Sequence, residues 1–280
     1  MTGAIGPGAV PPRTVPVLLY HSVSAEPTGL MQRYTLSPST FRQQMAWIAD
    51  NGFDTITVSD YASALRGDKP WPRRPLVVTF DDGYADFLAE AAPVLAELDI
   101  VSTIYVTTRP IGRTRRGTMS GQAMLTWSEL RELPALGVEI GSHSHDHAQL
   151  DLLAGDRLVH QVGTCKRALE DHLQLRVASF AYPHGYNSAA TRRAVRSADY
   201  TSACGVGNAL SHPRDDLWSI SRIMLEHDHG VDLLRRVCTA GDYPLGKRGD
   251  AIRSRVWRLA RRMRVRWRPE TLTPPTTDGG

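Results

Sequence analysis

Two things are scarce in this 280-residue chain: long apolar runs and cysteine. No stretch of about 18 apolar residues occurs, which argues against a membrane-spanning helix. Cys165, Cys204 and Cys238 are scattered without metal-ligand spacing, and their odd number argues against a disulfide framework and suits a reducing compartment. The first residues, MTGAIGPGAVPPRTVP, lack the basic start and apolar core of an export signal. Residues 1–14 are therefore expected to form a disordered leader, and the chain is expected to reside in the cytoplasm. No repeat of fixed period is present, which excludes a solenoid.

Acidic residues are missing from one region only. Between Lys247 and Arg268 ten basic residues face a single acid, Asp250, a local charge of +9 in a chain of net +4, so the remainder carries −5. The body is mildly acidic, and a basic-protein argument for nucleic acid fails there. Within the tail Ile252, Val256, Leu259, Met263 and Trp267 recur at spacings of three and four, an apolar stripe on an arginine-rich helix. Such a helix can lie on an anionic membrane surface, here the inner face, or pack its stripe on the body with the arginines solvated. Nucleic acid is the least favoured of its partners. The expected divisions are the leader 1–14, one domain over 15–240, and a basic amphipathic tail over 241–280 that ends in a disordered Thr/Pro/Gly segment.

Across the body, strand-like and helix-like segments alternate. VPVLLYHSV (15–23), FDTITV, LVVTF, STIYVTT, VEIGSH, ASFAYP, TSACGV and WSISRIML read as strands. Between them lie helical patterns, several opening on a capping residue: Ser37 before Pro38, and Thr126 before a segment that closes at Gly137. The alternation predicts an α/β fold with a parallel sheet and helical crossovers. Seven or eight units favour a closed or nearly closed barrel, with its chemistry on the loops after the strand carboxyl ends. His21, the Asp81–Asp82 pair, the histidines of GSHSHDH and the YPHG segment all fall there.

Side-by-side acids at a strand end need a reason. One of them can cap a helix that begins near Ala85; alternatively the two diverge, one toward a cation and one toward a substrate. His143 and His147, four apart in a turn after a strand, pair with Asp82 as a two-His, one-carboxylate set of the kind that holds one divalent metal and leaves positions open. Asp81 then stays ionised and accepts a proton as a general base.

TFDDGYADF and GSHSHDHAQL closely resemble the first two motifs of the NodB-type polysaccharide deacetylases. PVLLYHSV, MLTWSELREL, FAYPHG and SRIML follow in the order of one branch of that family, so the resemblance runs from about Val15 to about Leu234. It implies a deformed (β/α) barrel, a single domain of the NodB homology type. It also implies metal-dependent hydrolysis of an N-acetyl, sometimes O-acetyl, group on a sugar, with release of acetate. Carried over residue by residue, Asp81 is the general base, and Asp82, His143 and His147 hold one divalent ion, with Zn2+ the expected metal. Tyr182, Pro183 and His184 form the substrate-binding third motif, whose backbone N–H is the oxyanion donor.

The chain departs from the pattern in three places. No Arg precedes the third motif to orient Asp81, His184 takes the usual aromatic position, and PRDDLW is at best a remnant of an acidic fourth motif. The general acid that protonates the leaving nitrogen is expected to be His21, at the end of the first strand, rather than His227 in the LEH segment. His145 is a further imidazole that could face the metal or the sugar. Two other classes remain open: a non-catalytic sugar-binding barrel, which the missing Arg allows, and a metal-dependent amidase acting on a non-sugar substrate.

Overall fold

The computed structural model describes residues 14–27, 29–113 and 122–239. The expected leader and basic tail lie outside the described residues, apart from Thr14. Eight of the strands form one parallel sheet: β1 (Val17–Tyr20), β4 (Asp54–Thr55), β5 (Pro75–Phe80), β6 (Ser102–Val106), β7 (Val138–Ser142), β8 (Ser179–Ala181), β9 (Ser202–Cys204) and β10 (Ile223–Met224). Two more, β2 (Ser22–Val23) and β3 (Thr35–Leu36), pair separately in parallel. The expected strand over 15–23 is thus interrupted at His21.

The order is β10-β1-β5-β6-β7-β8-β9, with β4 set against the start of β5 and β6 against its end. The ring closes through the segment that leads into β10. Ile220 donates its N–H to Ala203 and accepts from Gly205, both at 2.9 Å, while Leu225 donates to Leu19 at 2.8 Å. The fold is therefore the nearly closed barrel that the alternation predicts, in the deformed (β/α) form that the resemblance implies.

Both faces of these strands are buried, which is why they read as continuous apolar runs rather than as alternation. Successive side chains still point to opposite faces, and the two faces differ in chemistry. Outward, Leu18, Tyr20, Val78, Phe80, Ile104 and Phe180 meet the helices. These are α1 (Pro38–Asp50), α3 (Ala92–Glu97), α4 (Trp127–Glu132), α5 (Gly155–Leu173), α6 (Ala189–Ser197) and α7 (Val231–Cys238), whereas α2 (Val58–Arg66) packs on the inner residues. Inward, Val17, Val77, Tyr105, Ala181, Cys204 and Ile220 cluster with Val58 and Tyr61 of α2, which stops the amino-terminal end of the barrel.

The helix starts are local and were readable. Ser37 Oγ accepts the Thr40 N–H at 3.1 Å, and Thr126 with Glu129 forms a capping box. The segment before α3 opens as a π turn over Phe87–Ala91. Pro93 supplies the reason, because it has no N–H for the carbonyl four residues back and its ring crowds that carbonyl. Among the described residues no helix is long and apolar enough to cross a membrane.

Polar groups also enter the barrel, and the carboxylate of Glu139 is satisfied there. Glu139 accepts from the Ser59 N–H (3.1 Å) and Thr103 Oγ1 (2.8 Å) on one oxygen, and from Ser59 Oγ (2.5 Å) and Ser179 Oγ (2.9 Å) on the other. Above it Tyr105 reaches across Gly141 to Cys204 Sγ at 3.3 Å. A Cβ at position 141 would lie 2.5 Å from two Tyr105 ring carbons and 2.9 Å from Ser179 Oγ, so glycine is required by space. Gly141→Ala is expected to destabilise the fold by about 1–3 kcal/mol, the usual cost of overpacking a core. Urea unfolding checks this, and an unchanged midpoint would mean that the ring is not locked in place.

Candidate metal centre and catalytic pocket

The barrel mouth is built from strand ends. At the end of β5, Asp81 continues the inward face, and its N–H donates to Tyr20 O at 3.0 Å. Asp82 and Gly83 then both take positive φ, 77° and 86°. That reversal turns the Asp82 carboxylate to the mouth as well, although strand alternation alone would send it outward. Gly83 has little room for a side chain, since a Cβ there would sit 3.1 Å from Val106 Cγ1. Neither acid caps a helix. The adjacent carboxylates share one mouth because the strand ends between them.

Asp82 Oδ1 lies 3.1 Å from His147 Nε2 and 3.6 Å from His143 Nε2. One ligand atom from each of the three residues falls within 4.8 Å of the other two. His143 Nδ1 is 2.8 Å from Ala181 O. A carbonyl only accepts, so Nδ1 carries the proton and Nε2 presents its lone pair to the cluster. The turn after β7 brings His147 round with positive φ at Ser144 (66°) and at His147 itself (61°), and Ser144 Oγ accepts the His147 N–H at 3.0 Å. Two neutral imidazole nitrogens and one carboxylate oxygen suit a single divalent ion of the zinc type. The residues fit the divalent ion that the resemblance implied.

Asp81 is held by a residue that sequence reasoning missed. Arg222, fully buried just before β10, donates from Nη1 to Asp81 Oδ1 at 2.6 Å and from Nη2 to Oδ2 at 2.8 Å. Its Nε donates to Gly205 O at 2.9 Å, Nη1 also reaches Thr79 Oγ1 at 3.2 Å, and the guanidinium sits 5.4 Å from the Tyr105 ring centroid. The Arg absent ahead of the third motif is replaced in space by one on the barrel's closing segment. The signal was present in SISRIML, where a lone charge inside an apolar strand demands a buried partner. Burial pushes the Asp81 carboxyl up, but the charge and hydrogen bonds of Arg222, with His143 and His21, outweigh it and hold its pKa below the ordinary value.

The cleft over these groups has a volume of about 220 Å³ and is lined by His21, Tyr34, Asp81, Asp82, His143, His147, His184, Gly185, Tyr186, Val206 and Met224. That is below the roughly 300–1,000 Å³ of pockets for drug-sized ligands, and suits one small group rather than an extended molecule. His21 stands at the break between β1 and β2, its ring packed on Tyr34 at 5.2 Å between centroids. Burial lowers its pKa, Asp82 and Asp81 oppose this, and Arg222 and His143 add to it. His184 takes φ 59° and packs edge-on against His147 at 4.6 Å.

Several other residues singled out from the sequence lie outside the cleft. Tyr182 and Pro183 are buried and do not line the cleft; Tyr182 points into the outer core and donates its hydroxyl to Trp218 O at 3.0 Å. They shape the turn that presents His184 and Gly185. His145 faces away, with Nδ1 2.9 Å from Thr108 Oγ1 and its ring 5.5 Å from His160. His227 is exposed and does not line the cleft, and its N–H donates to Arg33 O at 3.1 Å. In PRDDLW, Asp216 pairs with Arg192 and Arg196 at 3.7 Å while Asp215 accepts the His212 N–H, so neither reaches the site.

Replacing Arg222 tests the pair. A carboxylate whose folded pKa is depressed contributes stability above its unfolded pKa and loses it as pH falls through the folded value. Arg222→Met leaves Asp81 buried without its cation, so the variant should lose about 3–5 kcal/mol near pH 7. The deficit should shrink toward about pH 4, where Asp81 of the variant is protonated. Urea unfolding at both pH values checks this. A deficit independent of pH would mean that Arg222 matters for packing alone.

Residues 68–203 match the family model described as polysaccharide deacetylase. YxkH of Bacillus subtilis, a polysaccharide-deacetylase-like protein, is 28% identical over 189 residues, covering 68% of this chain and 63% of that protein. The poly-beta-1,6-N-acetyl-D-glucosamine N-deacetylase of Escherichia coli K12 is 29% identical over 134 residues, 45% of this chain and 20% of that one. The chain thus spans less than two thirds of the length of these relatives. The structure of the Streptococcus pyogenes deacetylase PplD in complex with acetate superposes with a TM-score of 0.72 over 81% of this chain and 99% of that one, at 22% identity, a shared fold. The matched residues take in both the Asp81–Asp82 strand end and the His143–His147 turn, so over that part the chain is similar to the polysaccharide deacetylase family, and the solved structure shares its fold.

Proposed function

We propose that this protein is a metal-dependent hydrolase that removes acetyl groups from N-acetylated sugars of an oligo- or polysaccharide and releases acetate. The observation that carries the reading is the meeting, in one small cleft, of a three-ligand group and a separate carboxylate kept ionised by Arg222. The poly-N-acetylglucosamine activity named for the Escherichia coli relative points the same way. Asp82, His143 and His147 hold the ion, for which Zn2+ is the proposed identity. When bound, a divalent ion polarises an acyl oxygen and lowers the pKa of water.

Asp81 accepts a proton from the attacking water as its oxygen bonds to the acyl carbon. Arg222 keeps the carboxylate charged and aimed, through two parallel bonds that a lysine would not reproduce. The turn over Pro183–Gly185 is closed by the Gly185 N–H donating to Tyr182 O at 2.8 Å, and a backbone N–H of this third motif is assigned to the developing oxyanion. When the C–N bond breaks, His21 gives a proton to the departing nitrogen. Burial makes its imidazolium a stronger acid than one in water, which suits that transfer. The bidentate Arg222–Asp81 pair also removes the reason, a missing Arg, for preferring a non-catalytic sugar-binding barrel.

Acetate release from N-acetylglucosamine oligosaccharides should be abolished by a chelator and restored by Zn2+. Asp81→Asn should keep the metal yet lose turnover by about a hundredfold or more, since an amide cannot accept the proton, whereas Asp82→Ala should lose the metal. Full activity in protein shown by elemental analysis to be metal-free would overturn the mechanism; acetate release from simple amides but not from sugars would move the substrate class.

On sequence grounds we further propose that the protein acts in the cytoplasm, at the inner membrane face, with residues 247–268 laid on anionic lipid. Cosedimentation with vesicles of anionic and of neutral lipid, for the full chain and for one ending at Gly246, tests this. The full chain should bind anionic vesicles only, and equal binding by both chains would refute it.

A further inference from the structure

We propose that Asp86 is a positioning residue for the reaction: by accepting a hydrogen bond from Ser22, it fixes the backbone that carries His21. The inference rests on His21 acting as the general acid. Asp86 is a largely buried carboxyl outside the cleft lining, and its Oδ2 accepts from Ser22 Oγ. Its other oxygen, Oδ1, is buried without a hydrogen-bond partner among the described residues. It does not cap the helical turn that follows it. Burial pushes the carboxyl up to about 6, while Ser22 and the N–H groups of Val23 and Phe87 oppose that rise. Such a group costs stability, and what it holds is the residue next to His21.

The geometry around His21 says why that matters. An imidazole that transfers protons is ordinarily oriented by a hydrogen bond at its second nitrogen. His21 Nδ1 is buried and has no such bond among the described residues. Its aim therefore comes from the Tyr34 ring and from the backbone on either side. Upstream, Tyr20 O accepts the Asp81 N–H at 3.0 Å. Downstream, Ser22 bonds Asp86. Both anchors belong to the single short segment 81–86, which also carries the base and one metal ligand. His21 is thereby tied in register to the groups it must work with, beside the pairing of β2 with β3 that holds the same backbone from the other side.

A double-mutant cycle on the full-length, zinc-loaded chain separates positioning from general support. Asp86→Ala and Ser22→Ala should each lower kcat for acetate release about tenfold, with KM and bound zinc unchanged; small misplacements of a catalytic group cost this much or more. Asp86→Asn, whose amide oxygen still accepts from Ser22, should recover most of the loss and guards against a variant that fails to fold. In a His21→Ala background, Asp86→Ala should change kcat by less than about twofold. The same tenfold loss in that background, or zinc loss in step with activity, would overturn the proposal. An activity-independent arm follows the His21 ring protons by NMR, which should shift in Asp86→Ala and Ser22→Ala but not in Asp86→Asn. If those shifts appear while His21→Ala keeps full turnover, the acid role is wrong and the tether stands as structure only; if they do not appear, the tether itself is refuted.

Discussion

A buried guanidinium bonded through two nitrogens to a buried carboxylate organises the centre of this barrel. Arg222 and Asp81 are both almost wholly excluded from solvent, and taking two charges out of water costs several kcal/mol each before any attraction is counted. Well-packed apolar side chains commonly serve stability as well as such a pair does. The pair therefore makes more sense as a device that keeps a carboxylate ionised at the cleft than as a brace for the fold. Its geometry is maintained from below. Gly141 leaves room for Tyr105, the Tyr105 ring underlies Arg222, and Arg222 also grips Gly205 and Thr79.

The neighbouring carboxylate has a different surrounding for a reason of backbone geometry. Asp81 ends the inward face of β5, and the left-handed turn at Asp82 and Gly83 begins immediately after it. Two acids adjacent in sequence are thus delivered to one mouth with different partners, a guanidinium for Asp81 and two imidazoles for Asp82. An αL residue other than glycine costs of order 1–3 kcal/mol. Asp82 and His147 both take that conformation, and both belong to the ligand set. At Asp82 and His147 that cost falls on candidate ligands, while Asp99, Gln174, Asp199 and Asn208 carry it away from the cleft.

Closure of the ring has a consequence for the site as well as for the sheet. The segment before β10 bonds to β9 on one side and β1 on the other. It therefore brings Arg222 to Asp81, distant in sequence, and places Met224 at the cleft. The segment that removes the last open edge is the one that supplies the charge partner, so the Asp81 carboxylate is held from both oxygens only in the closed barrel.

What the sequence determined by itself was whatever depends on near neighbours: alternation of elements, the caps at Ser37 and Thr126, and the chemistry of the Asp81–Asp82 and His143–His147 clusters, whose members lie within a few residues of each other. The tertiary structure decided the rest. Arg222 could not be matched to Asp81 from sequence because 141 positions separate them, and parallel register, not spacing, brings them together. Tyr182 looked like a substrate contact from its motif, yet β8 turns it outward, since alternate strand residues face opposite sides. His21 was expected over His227 from its place at the end of the first strand, and the barrel's geometry puts that imidazole in the cleft and leaves the other in solvent.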